Sequence, residues 1–91
     1  MKRVHVMVSG EVQGVGFRYS MRHVAQRAQA TGWVRNLRDG RVEAEVEGTD
    51  AAVDAVLAWA RRGPAGSTVS RVEIDEIEPA GDETFEVRAD A

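Results

Sequence analysis

Trp33-Val34-Arg35-Asn36-Leu37-Arg38-Asp39-Gly40-Arg41-Val42-Glu43-Ala44-Glu45-Val46 reads as two strands folded back on each other. Trp33 to Leu37 and Val42 to Val46 carry the strand residues, and Asp39-Gly40 sits between them. That dipeptide is a strong short hairpin signal, because the tight turns that match strand twist need positive φ at their centre. The second strand alternates: Val42, Ala44 and Val46 are expected to face the core, and Glu43, Glu45 and Glu47 to face water.

Both flanks of the hairpin read as helices. Upstream, Met21, Val24, Ala25 and Ala28 fall at i, i+3, i+4 and i+7, which predicts a helix over 18–30 with Gly32 as its C-terminal cap. Downstream, Thr49 or Asp50 caps a second helix whose buried stripe is Val53, Val56, Leu57 and Ala60. Arg61 and Arg62 suit its negative C-terminal end, and Gly63-Pro64 stops it. Further out, Val4, Val6 and Val8 alternate with His5, Met7 and Ser9 in a first strand. Val72 and Ile74 belong to a fourth strand, and Phe85 and Val87 to a short final one. Strand, helix, strand, strand, helix, strand is the split β-α-β order of ferredoxin-like α+β folds. The expectation is an antiparallel sheet with both helices on one face and a short extra C-terminal edge strand.

The chain has 91 residues, enough for one domain spanning 1–91 around one core. A chain of that size hides roughly 60–68% of the surface its unfolded form exposes, so it needs no staples. There is no cysteine, which excludes disulfides, thiolate nucleophiles and Cys-ligated zinc. No stretch approaches the apolar length of a secretion signal or a membrane span, so a cytoplasmic protein is expected. The net charge of −3 argues against nonspecific nucleic-acid binding, which needs a basic stripe. A small anionic substrate is compatible with it. Charges are screened within about 8–10 Å at physiological salt, so one well-placed arginine dominates locally.

Gly10-Glu11-Val12-Gln13-Gly14-Val15-Gly16-Phe17-Arg18 lies where such an arginine would count, between a strand and the start of a helix. The first amides of a helix lack intrahelical acceptors, and the helix dipole puts partial positive charge there. Glycines let successive N–H groups converge on one anion, and a terminal Arg adds a planar fork that matches two phosphate oxygens. The segment is not a Walker motif, lacking the Gly-Lys-Ser/Thr ending, nor does it have dinucleotide-fingerprint spacing. As a bare pattern it fits a tight turn with a surface Arg equally well.

Val12-Gln13-Gly14-Val15-Gly16-Phe17-Arg18, followed after a helix by Gly32-Trp33-Val34-Arg35-Asn36 and Asp39-Gly40, closely resembles the two signatures of the acylphosphatase family. The resemblance runs on through Val42-Glu43, Gly48, Trp59 and Gly63-Pro64 to Phe85-Glu86-Val87-Arg88. It implies a ferredoxin-like monomer that hydrolyses the carboxyl–phosphate bond of a small acyl phosphate without metal or cofactor. Inorganic phosphate or sulfate would be a product-like ligand. The family's phosphate-binding arginine falls on Arg18, its water-positioning asparagine on Asn36, and its amide cradle on Gly14, Val15, Gly16, Phe17 and Arg18. The run before Phe85 and the tail Ala89-Asp90-Ala91 are less typical, and both are expected to lie away from the site.

The inventory suits that chemistry. The leaving carboxylate has a conjugate acid with a pKa of about 4, so no general acid is required. Phosphoryl transfer is catalysed mainly by positioning and charge stabilisation. Asn accepts and donates hydrogen bonds at once and does not titrate, which suits it to holding water. Read alone, Asn36 is a hydrogen-bonded strand residue near a hairpin and Arg22 a solvated helix residue. His5 and His23 have no metal-binding spacing, and Ser9 and Ser20 belong to no Ser-His-acid set. Trp33 and Trp59 are expected in the core. A nucleic-acid module on the same fold would need stacking aromatics, and 5% aromatic content with a Glu-lined strand does not supply them. A phosphate-handling segment of a larger maturation protein is the other non-enzyme reading, and the stand-alone length weighs against it.

Overall fold

The alternating valines and the two apolar stripes form the elements they predict. The computed structural model describes residues Met1–Ala91. In chain order these form β1 (Lys2–Glu11), α1 (Phe17–Ala28), β2 (Thr31–Asn36), β3 (Val42–Gly48), α2 (Asp50–Ala60), β4 (Thr68–Ile77) and β5 (Phe85–Val87). The sheet order is β4-β1-β3-β2-β5. β1 runs antiparallel between β3 and β4, and β2 is antiparallel to β3. β5 pairs with β2 in parallel, so the ferredoxin-like antiparallel sheet carries one parallel edge strand.

Both helices cover one face. Phe17, Met21 and Ala25 of α1, and Val53, Val56, Leu57 and Ala60 of α2, pack with Val4, Val6, Val8, Val34, Val42, Ala44 and Val46 in one cluster. Each fully buried Val or Leu side chain contributes roughly 1.5–3 kcal/mol relative to exposure. Thr49 starts α2 by accepting a hydrogen bond from the Ala52 amide at 3.1 Å. Gln29, at φ 62°, ends α1, so Gly32 is not the cap expected from sequence. Gly32 belongs to β2 at φ 133°, and a Cβ there would collide with the Glu45 carbonyl oxygen. Close approach of two strands, and not helix termination, requires that glycine.

The open face of the sheet departs from expectation twice. Trp33 is buried outside the apolar cluster, flanked by the guanidinium groups of Arg35 at 5.0 Å and Arg88 at 4.9 Å. The Glu43/Glu45/Glu47 row is not the solvated face expected from sequence. Glu47 is 4% exposed, and its carboxylate accepts from Arg3 Nη1 at 3.1 Å, the Ala80 amide at 2.7 Å and the Gly81 amide at 3.2 Å. Arg3, itself buried, also donates to Glu45 at 2.8 Å and Asp82 at 3.1 Å. Glu43 accepts from Arg35 at 2.7 Å, and its other oxygen lies 2.8 Å from His5 Nε2. Alternation put these carboxylates on the correct face but could not show that Arg3 and the Ala80-Gly81 segment cover it.

The Ala80 amide, aided by Arg3 and the Gly81 amide, holds the Glu47 carboxyl below its ordinary range against the opposing effect of burial. Burial pushes the Glu43 carboxyl up, but hydrogen bonds from His5 and Arg35 outweigh it, and this group too is lowered. A carboxyl whose folded pKa is depressed stabilises the fold above its unfolded pKa, about 4.3 for Glu, and loses that contribution as pH falls through the folded value. Glu47→Gln is therefore expected to cost about 1–3 kcal/mol at neutral pH, the range for removing one charged partner of a buried hydrogen-bonded group. Thermal melts of both proteins should converge as pH drops below about 4. A gap that stays constant down to strong acid would show that the Glu47 charge does not supply the stability.

Candidate active site

The loop between β1 and α1 is shaped by two left-handed residues, Gly14 at φ 74° and Gly16 at φ 77°. A Cβ at either would meet nothing within 4 Å. Backbone angle, not crowding, therefore demands glycine there. Phe17 is 2% exposed with its ring 5.0 Å from that of Trp59, and Val15 packs against the core. These two side chains anchor the loop inward, while Gly14 and Gly16 stay at the surface.

Gly16 also opens α1, which has no side-chain cap and no acidic residue in its first turn. α2, with its Thr49 cap and Asp50 in the first turn, is built the ordinary way. The start of α1 thus leaves its partial positive charge unopposed by its own sequence. Arg18 adds a full charge, its side chain 29% exposed. Its guanidinium lies 5.6 Å from the ring centroid of exposed Tyr19, which also carries the Arg22 guanidinium at 5.3 Å. Arg22, expected as a solvated residue, is half-buried on that ring.

Asn36 ends β2 opposite Val42 and is 7% exposed. Its side-chain oxygen is buried and has no hydrogen-bond partner. A buried carbonyl oxygen left unpaired costs about 1–3 kcal/mol, so the strand-residue reading of Asn36 as a satisfied amide does not describe it. Gln13, to which sequence reasoning gave no separate role, ties the two segments together. Its Nε2 donates to the Leu37 carbonyl at 2.7 Å and the Arg41 carbonyl at 3.0 Å, fastening the loop to the hairpin beside Asn36. Its place inside the glycine-rich motif was the available signal. The hairpin turn is braced by Asp39, which accepts from the Arg41 amide at 3.1 Å and the Arg41 side chain at 2.9 Å.

The tail 89–91 lies against this site, contrary to the expectation from sequence. Because β5 is parallel to β2, the residues after Val87 run alongside β2 toward the end where Asn36 stands. The Arg88 amide donates to the Val34 carbonyl at 2.9 Å, the Ala91 amide to the Asn36 carbonyl at 3.0 Å, and the Arg38 amide to the Ala91 oxygen at 2.8 Å. Asp90 Oδ1 lies 3.4 Å from Arg18 Nη1. Arg18 and Asn36 thus touch consecutive tail residues, whose Cα atoms are separated by about 3.8 Å. The larger surface hollow, about 350 Å³ and lined by Gln26, Gln29, Thr31 and Thr84 among others, sits at the far end of α1 and includes neither Arg18 nor Asn36.

A family model described as Acylphosphatase matches residues 4–87. The chain belongs to the acylphosphatase family. An acylphosphatase of Synechococcus sp. is 54% identical over 86 residues, covering 94% of this chain and 92% of that one. The crystal structure of an acylphosphatase from Bacillus subtilis superposes with a TM-score of 0.93 at 34% identity, covering 97% of this chain and 99% of that one. A segment of full-length HypF, crystallised in its phosphate- and nucleotide-bound form, superposes with a TM-score of 0.90 at 26% identity, covering 98% of this chain and 12% of HypF. As an acylphosphatase, the protein hydrolyses acyl phosphates. No helix of this acylphosphatase is long and apolar enough to cross a membrane.

Proposed function

We propose that this acylphosphatase cradles the phosphoryl group on the backbone amides of Gly14 through Arg18 and on the Arg18 guanidinium, while Asn36 holds the attacking water. The observation that carries the reading is the buried, unpartnered side-chain oxygen of Asn36, at a strand end that Gln13 and the tail tie to the loop and the uncapped helix start bearing Arg18. Water accepted by that oxygen attacks phosphorus, the P–O bond to the acyl oxygen breaks, and the electron pair leaves with the carboxylate. A nonbridging phosphate oxygen takes the water's proton. The carboxylate is a good leaving group unaided, so the site needs no general acid. Amides and guanidinium stabilise charge on the phosphoryl oxygens as the bond breaks. The enzyme works on this reading as a cytoplasmic monomer, one domain over residues 1–91, on small acyl phosphates and without cofactor.

Hydrolysis of benzoyl phosphate, followed in EDTA-containing buffer with increasing inorganic phosphate, tests the reading. Turnover is expected to survive chelation, and phosphate is expected to raise KM without changing kcat, because the cradle recognises the tetrahedral anion and not the acyl group. Noncompetitive inhibition by phosphate would remove the loop from the substrate site. Loss of activity restored by added Mg²⁺ would remove the cofactor-free mechanism.

A further inference from the structure

We infer that Asp90 is an internal competitor for the anion site: its carboxylate occupies Arg18 in the free enzyme and weakens binding of phosphate and substrate. The inference rests on the assignment of Arg18 to the phosphoryl group. The tail is held at Arg88 by Val34 and at Ala91 by Asn36, so Asp90, between those anchors, is held beside α1's first turn. That turn carries no acidic residue of its own, yet a carboxylate from 72 residues away in the chain is brought to Arg18.

The geometry of the contact sets what it can do. Only one guanidinium nitrogen is engaged, at 3.4 Å, and the Asp90 side chain is 63% exposed. A single long contact between exposed groups is weak. It cannot lock Arg18, and an anion held by several amides and the guanidinium fork displaces it. The two backbone anchors do not involve the Asp90 side chain, so they persist after displacement and keep the residue, with its charge, next to the bound anion. Like charges a few ångströms apart at a wet surface weaken binding by about three- to tenfold for a dianion. Ground state and transition state feel the same repulsion, so the effect falls on KM and on retention of phosphate, with kcat left nearly unchanged.

Calorimetric phosphate titration and benzoyl phosphate kinetics of the full chain, with Asp90→Asn and Asp90→Glu, test this. Circular dichroism should first show that each variant keeps the wild-type fold, as expected for an exposed position. Asp90→Asn should tighten phosphate binding and lower KM by about three- to tenfold, with kcat within about twofold, and Asp90→Glu should stay near wild type. Glu76→Gln removes an exposed carboxylate from β4, at the opposite sheet edge, and should change neither constant. Unchanged or weaker binding by Asp90→Asn, beside a wild type that binds phosphate, overturns the inference and leaves the Arg18 assignment standing. Equal tightening by Glu76→Gln overturns it as well, by making net charge the cause. A folded wild type that turns over benzoyl phosphate but shows no phosphate binding removes the Arg18 assignment and this inference with it.

Discussion

Arg18→Ala is expected to abolish measurable phosphate binding and to lower turnover of benzoyl phosphate by at least about 10²–10³, the effect of removing one preorganised group that stabilises transition-state charge. The guanidinium is the only full positive charge that α1's first turn supplies to the site, and the remaining recognition comes from neutral amides. A charge-assisted hydrogen bond contributes about 1.5–3 kcal/mol, and more where charge develops during reaction. Arg18→Lys should recover little, because an ammonium point charge cannot reproduce a planar fork on two oxygens. Stability should hardly change, since Arg18 is partly exposed and its one ion pair is weak. Steady-state kinetics beside calorimetry of the folded variants provide the check. An Arg18→Ala enzyme that kept wild-type affinity for phosphate would place the anion elsewhere.

Asn36→Ala should behave differently. Turnover is expected to fall by about 10²–10³ while phosphate affinity stays within about threefold of wild type, because the side chain acts on the water and not on the anion. Truncation strips no hydrogen bond from any other residue, since no protein group donates to the Asn36 oxygen, and it removes a buried polar atom without a protein partner. The melting temperature should therefore hold or rise, in contrast to the loss expected when a satisfied buried amide is deleted. Loss of activity with gain of stability is a signature that a merely structural asparagine does not produce. Should affinity for phosphate collapse as it does in Arg18→Ala, Asn36 would be a ligand of the anion. Full retention of turnover would leave the mechanism without a group to position the nucleophile.

The order of elements, the hairpin at Asp39-Gly40, the α2 stripe and the glycine-rich loop ahead of Arg18 were all legible in the sequence. Each is a local signal: alternation at period two, apolar spacing at three and four, left-handed residues at a turn. The match to the family motifs added what periodicity cannot, the pairing of the loop with an asparagine a helix and a full strand away. Residues that act through their own backbone or their immediate neighbours are the ones a linear reading finds.

What the chain could not show in one dimension was contact between distant segments. Glu47 read as one more polar position in an alternating strand until Arg3 and the Ala80-Gly81 amides closed over it. Trp33 was assigned to the core, although the pleat turns it to the face where Arg35 and Arg88 stack on it. Gln13 became the link between loop and hairpin only when β1 and β3 paired and brought Leu37 and Arg41 within its reach. The tail is the sharpest case. Nothing in Ala89-Asp90-Ala91 specifies whether β5 joins its neighbour parallel or antiparallel, and only the parallel choice carries Asp90 to Arg18. Local propensity is a property of a few adjacent residues, whereas strand direction at a sheet edge is decided by packing over the whole core.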